Sequence, residues 1–258
     1  MDAPTETPDG RGATPAETPD PGAPGAVIPP PLPAPARQRW RLVLARSAEA
    51  PDLGGRELAD AWESALEASG LPAFVPAGRA RARVAFGAPL SAGLVAEAEL
   101  ADIVLTELEP TWRVRGALDG RLPDGWRLVD LYDVWLGAPA LAGQVVAADY
   151  RIAVSGADAA DVARAAAALL AAERLPRERQ KGTATVTYDL RPLVDDVEVI
   201  AAGPPAVVRA TTRFHPELGT GRPAEVVATL GDAAAAPLVI ESVVRERVIL
   251  AAGPDADR

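Results

Sequence analysis

The sequence predicts an α+β fold built from two copies of a split β-α-β unit that together form one body. Three features of the chain support this prediction. Strand-like alternation and helix-like periodicity follow one another in the order β-α-β-β-α-β. The same order then repeats along the rest of the chain. The connection between the copies, residues 138–146, is too short and too apolar for a flexible linker, so a single body is expected.

The first copy covers residues 38–137. Its first helix places Leu58, Trp62 and Leu66 on one face and ends at Gly70, as an amphipathic helix with a glycine stop does. We expect Trp62 and Leu66 to lie beneath the sheet of this copy. The strands are predicted at RWRLVLARS, RVAFGAPL, ELADIVLTEL and WRLVDLYDVWL, and the helices at GRELADAWESALEASG and Thr111–Leu122.

The second copy covers residues 146–252. Asp158 is predicted to cap its first helix, which buries Leu169 and Leu170 beneath the sheet. The strands are predicted at DYRIAVSG, GTATVTYDL, AVVRATTRF and VIESVVRERVIL, and the helices at DAADVARAAAALLAAERL and RPAEVVATLG. Each copy therefore has the order of a ferredoxin-like unit, with two helices over one face of an antiparallel sheet. We expect the two sheets to pack together or to join edge to edge.

The two ends of the chain have a different composition. Residues 1–37 are rich in proline, alanine and acidic residues and contain almost nothing to bury. Such a segment does not recover its ordering entropy, so we predict a disordered tail before the folded body. The last residues, 253–258, are predicted to be disordered as well.

The composition excludes several classes of protein. The chain has no cysteine, so it forms no disulfide, no thiolate metal site and no cysteine-ligated iron–sulfur cluster. No run approaches the roughly 20 apolar residues of a membrane span, and the N-terminus lacks the features of a signal peptide. We therefore expect a cytoplasmic protein that has no membrane partner. The net charge of −10 weakens any general attraction to nucleic-acid phosphates.

The motifs of common enzymatic sites are absent from the sequence. Neither a GxxxxGK[ST] phosphate loop nor a GxGxxG or GxSxG motif occurs. The single histidine, His215, follows a strand and precedes a proline, which is typical of an ordinary polar surface residue. We therefore predict no catalytic residues, no cofactor and no metal site.

The stretch FVPAGRARARVAFGAPL carries arginine at three alternate positions, Arg79, Arg81 and Arg83. On an extended chain these side chains project to one side. One interpretation is that they keep a sheet edge soluble, and the other is that they hold RNA phosphates. We expect exposed Arg79 and Arg81, and a partly buried Arg83.

Several longer motifs follow one another in a fixed order. They are VAFGAPLSAGL, EAELADIVLTE, LPDGWRLVDLYDV, DLRPLV, GRPAEVVATLG and ESVVRERVIL. With these motifs the chain, from Trp40 to Leu250, resembles a bacterial domain of unknown function that is associated with radical SAM proteins. Members of that family occur alone or fused to a radical SAM enzyme with a cobalamin-binding-type domain. The resemblance therefore implies a radical SAM protein as the partner.

Two motifs of that family are changed in this chain. The family's first helix opens with Ser-His-Leu-Asp, where residues 54–57 read GGRE. The family's Gly-Phe-Asn-Pro-His-Pro-Arg aligns with residues 77–83, AGRARAR, in which Arg83 keeps the family's residue. Both family histidines are replaced, so the resemblance implies that proton transfer or metal binding by those histidines does not operate here.

We therefore expect a non-catalytic accessory or binding protein of a radical SAM enzyme system. The alternative is an RNA-binding accessory in tRNA or rRNA modification, which the three arginines would serve. A third hypothesis is a carboxylate-dependent enzyme that relies on Glu57, Glu97 and Glu99, since alternation places Glu97 and Glu99 on one face of a strand. The candidate binding residues are Arg79, Arg81, Arg83, Glu57 and Glu97.

Overall fold

The computed structural model of the chain describes residues 34–251 apart from 90, 92 and 183. The predicted tail covers residues 1–37, of which residues 1–33 lie outside the described residues. The predicted disordered end, 253–258, lies outside them entirely. Among the helices of the described segments, none is long and apolar enough to cross a membrane.

The N-terminal half of the structure has the predicted order of strands and helices. Its elements are β1 (Gln38–Arg46), α1 (Gly55–Ala68), β2 (Ala85–Phe86), β3 (Val95–Leu105), α2 (Thr111–Leu118) and β4 (Trp126–Val134). The predicted strand RVAFGAPL was too long, because only β2 pairs with β3, at Asp102 and Ala101. Nearer its start, at Val95 and Ala96, the same edge of β3 pairs with a strand of the C-terminal half.

The C-terminal half repeats this order with additional elements. They are α3 (Leu141–Gln144), β5 (Val145–Ser155), α4 (Ala159–Ala171), β6 (Pro176–Lys181), β7 (Ala184–Asp189), β8 (Val194–Ala201), β9 (Ala206–His215), β10 (Gly219–Thr220), α5 (Pro223–Ala234) and β11 (Val239–Leu250). The sequence interpretation missed β6, β8 and β10. The segment GTATVTYDL, predicted as a sheet strand, forms β7 in a separate hairpin with β6.

The two halves share one mixed sheet, which supports the predicted α+β class. Within the described residues the sheet has nine strands in the order β10-β9-β5-β11-β3-β1-β4, and β2 and β8 pair with β3 and β9. Neighbouring strands are antiparallel except β3 and β11, which run parallel and pair at Val95↔Val244 and Ala96↔Arg245. This short pairing joins the two halves edge to edge.

The ends of two helices follow local rules that the sequence predicts. At the start of α1, the backbone N–H of Gly54 donates to Glu57 Oε2 at 3.0 Å. Beyond its end, Gly70 has φ +68°, a conformation that glycine adopts without strain. Asp158 caps α4 as predicted, since its carboxylate accepts a 2.8 Å hydrogen bond from the N–H of Asp161.

Each half has its own buried core. In the N-terminal half, the Trp62 ring meets Phe86 and Trp126 edge to face, with centroids 5.5 and 5.3 Å apart. Leu66 is buried in the same cluster. In the C-terminal half, Leu169 is buried and Leu170 is half-buried against the core. The expected burial of Trp62, Leu66 and Leu169 is therefore confirmed, and that of Leu170 in part.

Candidate functional site

A cavity of about 710 Å³ lies where the two halves meet. One wall is the loop after β2, and the others are β5, β9, β11 and the start of α5. We call it the junction cavity. Its lining residues are Pro89, Ser91, Gly93, Leu94, Tyr150, Phe214, Thr220, Gly221, Arg222, Pro223, Ala224, Ile240, Val243 and Arg245. Because both halves contribute to it, the junction cavity exists only when the shared sheet is assembled.

A buried arginine, Arg245, lines the junction cavity. The Arg245 side chain, 3% exposed, donates from Nη1 to Glu99 Oε1 at 2.7 Å. It also donates from Nε to the Tyr150 hydroxyl at 3.1 Å and from Nη2 to the carbonyl oxygen of Pro89 at 2.8 Å. Arg245 thus ties three segments together: β3, β5 and the loop after β2.

Burial changes the acid–base properties of the groups around Arg245. Loss of solvent raises the pKa of Glu99 above its ordinary value, although Arg245 opposes this effect. Burial likewise raises the pKa of Tyr150, so its phenol stays protonated at neutral pH. Glu99 Oε2 is buried and has no hydrogen-bond partner within the described part of the chain.

The start of α5 forms another wall of the junction cavity. Gly221 is required there, because a Cβ at this position would lie 2.4 Å from the carbonyl oxygen of Leu193 and 3.0 Å from Cβ of Thr212. Pro223 occupies the first turn, and the Arg222 side chain makes no capping hydrogen bond. The partial positive charge of this helix end therefore faces the cavity without a capping side chain.

A second buried ion cluster lies in the N-terminal half. Asp102 accepts hydrogen bonds from the guanidinium groups of both Arg39 and Arg41. Arg39 also donates from Nη1 to the carbonyl oxygen of Ala138 at 2.9 Å and from Nη2 to that of Pro139 at 3.0 Å. This cluster fastens the connection after β4 to the sheet, which is a structural role.

The three predicted arginines lie on the surface of the N-terminal half, away from the junction cavity lining. Arg81 donates from Nη1 to Ser64 Oγ at 3.3 Å and pairs with Glu67 at 3.1 Å, both on α1. Arg79 and Arg83 form no ion pair within the described part of the chain. All three side chains are exposed, so the expected partial burial of Arg83 is wrong. Its neighbours Ala82 and Val84 take the inward positions instead.

The predicted glutamates do not form one site. Glu57 caps α1, and Glu97 pairs with Arg151, so each already has a partner. Glu99 lies with Arg245, and the expected common face of Glu97 and Glu99 is therefore wrong. The reason is a bulge: between the pairs Leu44↔Glu99 and Arg46↔Ala96, β3 advances one residue more than β1. This extra residue reverses the alternation between the two glutamates.

The lone histidine has a local structural role. His215 Nδ1 accepts hydrogen bonds from the backbone N–H groups of Glu217 and Leu218 at 3.2 and 3.1 Å, closing the turn after β9. The described residues hold no group of three or more His, Asp or Glu side chains arranged for a metal ion.

Arg245 and Tyr150 are the site residues that the sequence interpretation missed. In VIESVVRERVIL, Arg245 and Arg247 look equivalent, because both alternate with apolar residues. The structure separates them by a bulge at Glu246, since Arg245 pairs with Tyr150 and Arg247 with the adjacent Asp149. The sequence signal for a buried arginine was its position within an apolar strand, and this signal did not distinguish Arg245 from Arg247.

Comparison with known protein families places the chain in one of them. A family model described as "Uncharacterized protein conserved in bacteria (DUF2344)" matches residues 39–223. No curated protein matches the chain. The matched range covers the N-terminal half and continues to the start of α5, and therefore includes most of the junction cavity lining.

Proposed function

This chain belongs to DUF2344, a family of uncharacterised proteins conserved in bacteria, and from that premise we propose that it is a non-catalytic accessory protein. It serves a radical SAM enzyme system in the bacterial cytoplasm and acts by binding. In this proposal the junction cavity holds a small ligand, and a radical SAM protein is the partner.

The observation that carries the proposal is the chemistry of the junction cavity lining. Its ionisable groups in the described structure are Tyr150, Arg222 and Arg245. Arginine is always protonated in proteins, and burial raises the pKa of Tyr150 above its ordinary value near 10. A phenol whose pKa is raised does not exchange a proton readily near neutral pH, as a general acid or base must. These three groups suit a site that orients a ligand by hydrogen bonds.

We further propose that the two halves are tandem ferredoxin-like units. The strand order supports this proposal, because β4-β1-β3-β2 in the N-terminal half corresponds to β11-β5-β9-β8 in the C-terminal half. In each half two longer helices connect the strands in the order of a split β-α-β unit. The junction cavity then lies at the seam between two related units, a common position for ligand sites.

The radical SAM partner is proposed from the sequence resemblance. A radical SAM enzyme holds its iron–sulfur cluster with cysteine thiolates, and this chain contains no cysteine. The cluster and the radical chemistry must therefore come from another protein. The accessory role assigns the chemistry to that protein and the binding to this chain.

The test is capture from the native host followed by reconstitution. The tagged chain is expected to enrich a protein with a radical SAM cysteine triad, identified by mass spectrometry, over an unrelated tagged domain of equal charge. The purified partner should then turn over faster when the chain is added. Enrichment of no such protein, or a turnover rate independent of the chain, would refute the accessory role.

RNA binding is the second candidate, and one observation favours it. Arg79 and Arg83 are exposed and form no ion pair within the described residues, so their guanidinium groups are available to phosphates. The acidic net charge of the chain opposes this function. The two candidates differ in salt dependence, because binding to RNA phosphates weakens steeply as salt rises.

A further inference from the structure

We propose that the junction cavity binds an organic anion with an apolar body and one anionic head group, such as a carboxylate or a phosphate monoester. This inference rests on the proposed binding role and specifies the class of ligand. It assigns the apolar body to the walls of the cavity and the head group to Arg245, Arg222 and the start of α5.

The apolar part of the inference follows from volume and lining. At about 710 Å³ the junction cavity is within the usual range for small-molecule sites, roughly 300–1,000 Å³. Apolar side chains form most of its walls, with Leu94 from one half facing Phe214, Ile240 and Val243 from the other. A fully polar ligand would bring no apolar surface to pack against these side chains. An apolar body binds more favourably, because it displaces water from them.

The anionic head group follows from the donors at the cavity. Arg245 has five N–H groups, and three of them donate to Glu99, Tyr150 and Pro89. Two N–H groups therefore remain without an acceptor among the described residues. A guanidinium that is already held by three bonds loses little freedom when it binds a head group, so its remaining donors are preorganised.

The charge balance of the cavity also favours an anion. Its described lining contains two arginines and no carboxylate, in a chain of net charge −10. Glu99 offsets the charge of Arg245, so the net positive charge of the lining comes from Arg222. The start of α5 has no capping side chain, and the carboxylate in its first turn, Glu225, is paired with Arg179. Pro223 has no N–H, and the N–H groups of Glu225 and Val226 donate to the carbonyl oxygen of Arg222, so the N–H of Ala224 is the backbone donor that this helix start offers to an anion. A cationic ligand would meet two guanidinium groups and no partner.

The experiment uses two fluorescent probes with related aromatic bodies. Anilinonaphthalene sulfonate carries an anionic head group, and phenylnaphthylamine is its neutral counterpart. Each is titrated into the full chain, and fluorescence gives the dissociation constant. We expect the anionic probe to bind about tenfold more tightly than the neutral probe, the usual effect of a charge-assisted hydrogen bond.

Two variants separate the cavity from other apolar surfaces. Arg222→Gln should weaken the anionic probe about tenfold and leave the neutral probe unchanged, because Arg222 is exposed and makes no capping hydrogen bond. Ala224→Glu places a carboxylate in the first turn of α5, where it stabilises a helix but repels an anion. It should abolish binding of the anionic probe without lowering the melting temperature. Arg56→Gln, an exposed arginine of α1, is the matched control and should change neither probe.

The outcomes distinguish the ligand class from the binding role. Equal affinity for the two probes, with both sensitive to Ala224→Trp at the cavity wall, would overturn the anionic class and leave the proposed function standing. Anionic-probe binding that is absent, or unaffected by Arg222→Gln and Ala224→Glu, would overturn the inference itself. The accessory role is then decided separately, by capture of the radical SAM protein.

Discussion

Arg245 on β11 and Glu99 on β3 form a buried ion pair, with 2.7 Å between Nη1 and Oε1, across the seam that joins the two halves. Arg245 itself takes part in the parallel backbone pairing, opposite Ala96, and Glu99 lies three residues further along β3. A charged contact therefore reinforces the seam, where β3 and β11 pair at only two residue positions. Such a pair fixes the register of the two strands more than it adds to stability, because desolvation offsets much of its attraction.

The pH dependence of stability should report the buried state of Glu99. Burial raises its pKa in the folded chain, so between about pH 4.5 and that raised pKa the folded state binds more protons than the unfolded state. The contribution of Glu99 is therefore fully present below about pH 4.5 and is lost as pH rises through the folded pKa. Urea unfolding of the wild type and of Glu99→Gln across this range should show it. The wild type should lose stability relative to the variant with rising pH, and parallel curves would contradict the prediction.

Asp102 should contribute strongly to the free energy of unfolding. It is 3% exposed and accepts hydrogen bonds from both Arg39 and Arg41. Asp102→Asn would leave two guanidinium groups without a compensating anion, which costs about 3–5 kcal/mol. Chemical denaturation measures the loss. Asp130→Asn is the control, since Asp130 pairs with Arg115 on the surface and its removal should cost less than about 1 kcal/mol. Similar losses in the two variants would show that the cluster is not a buried anchor.

Trp62 should dominate the core of the N-terminal half. Its side chain is 2% exposed and contacts Phe86 and Trp126 edge to face. Trp62→Ala should lower the free energy of unfolding by about 3–5 kcal/mol through lost burial and a cavity. Trp112→Ala removes the same side chain from a site that is 74% exposed, and it should cost less than about 0.5 kcal/mol. Thermal and urea unfolding compare the two, and a small effect of Trp62→Ala would contradict the assignment of this core.

The three exposed arginines should contribute little to stability. Replacing Arg79, Arg81 and Arg83 by serine removes one surface ion pair, Arg81 with Glu67, and should cost about 1 kcal/mol or less.

The same change decides the RNA hypothesis. If these arginines hold phosphates, RNA affinity should fall and the salt dependence should flatten by up to about three phosphate equivalents. The control is a second triple variant with the same change of charge elsewhere on the chain, in which serine replaces Arg56, Arg115 and Arg121. Equal RNA affinity in the wild type and both triple variants would exclude the hypothesis.

The features that the sequence predicted correctly are set by neighbouring residues. The face of α1, its end at Gly70 and the cap at Asp158 each depend on side chains within one or two turns. The features that it missed are set by strand pairing over long distances. Bulges opposite Ala45 and at Glu246 decide which charged side chains are buried, and no local pattern marks either position.

The candidate site was missed for the same reason. Arg245, Tyr150 and Glu99 are far apart in the sequence and meet only when β11 lies between β5 and β3. The sequence interpretation favoured Arg79, Arg81 and Arg83 because they are clustered along the chain. Their exposed positions show that clustering in sequence did not correspond to a cavity.

During translation, the strand at the centre of the shared sheet is synthesised last. β11 leaves the ribosome after every other strand of the sheet, yet its place is between β5 and β3. Until it arrives, β5 and the part of β3 that does not pair with β2 present unpaired edges to other nascent chains. A product that stops before Val239 keeps both edges open and is prone to aggregate. Quality control in the cell therefore has a single late event to monitor, the insertion of β11.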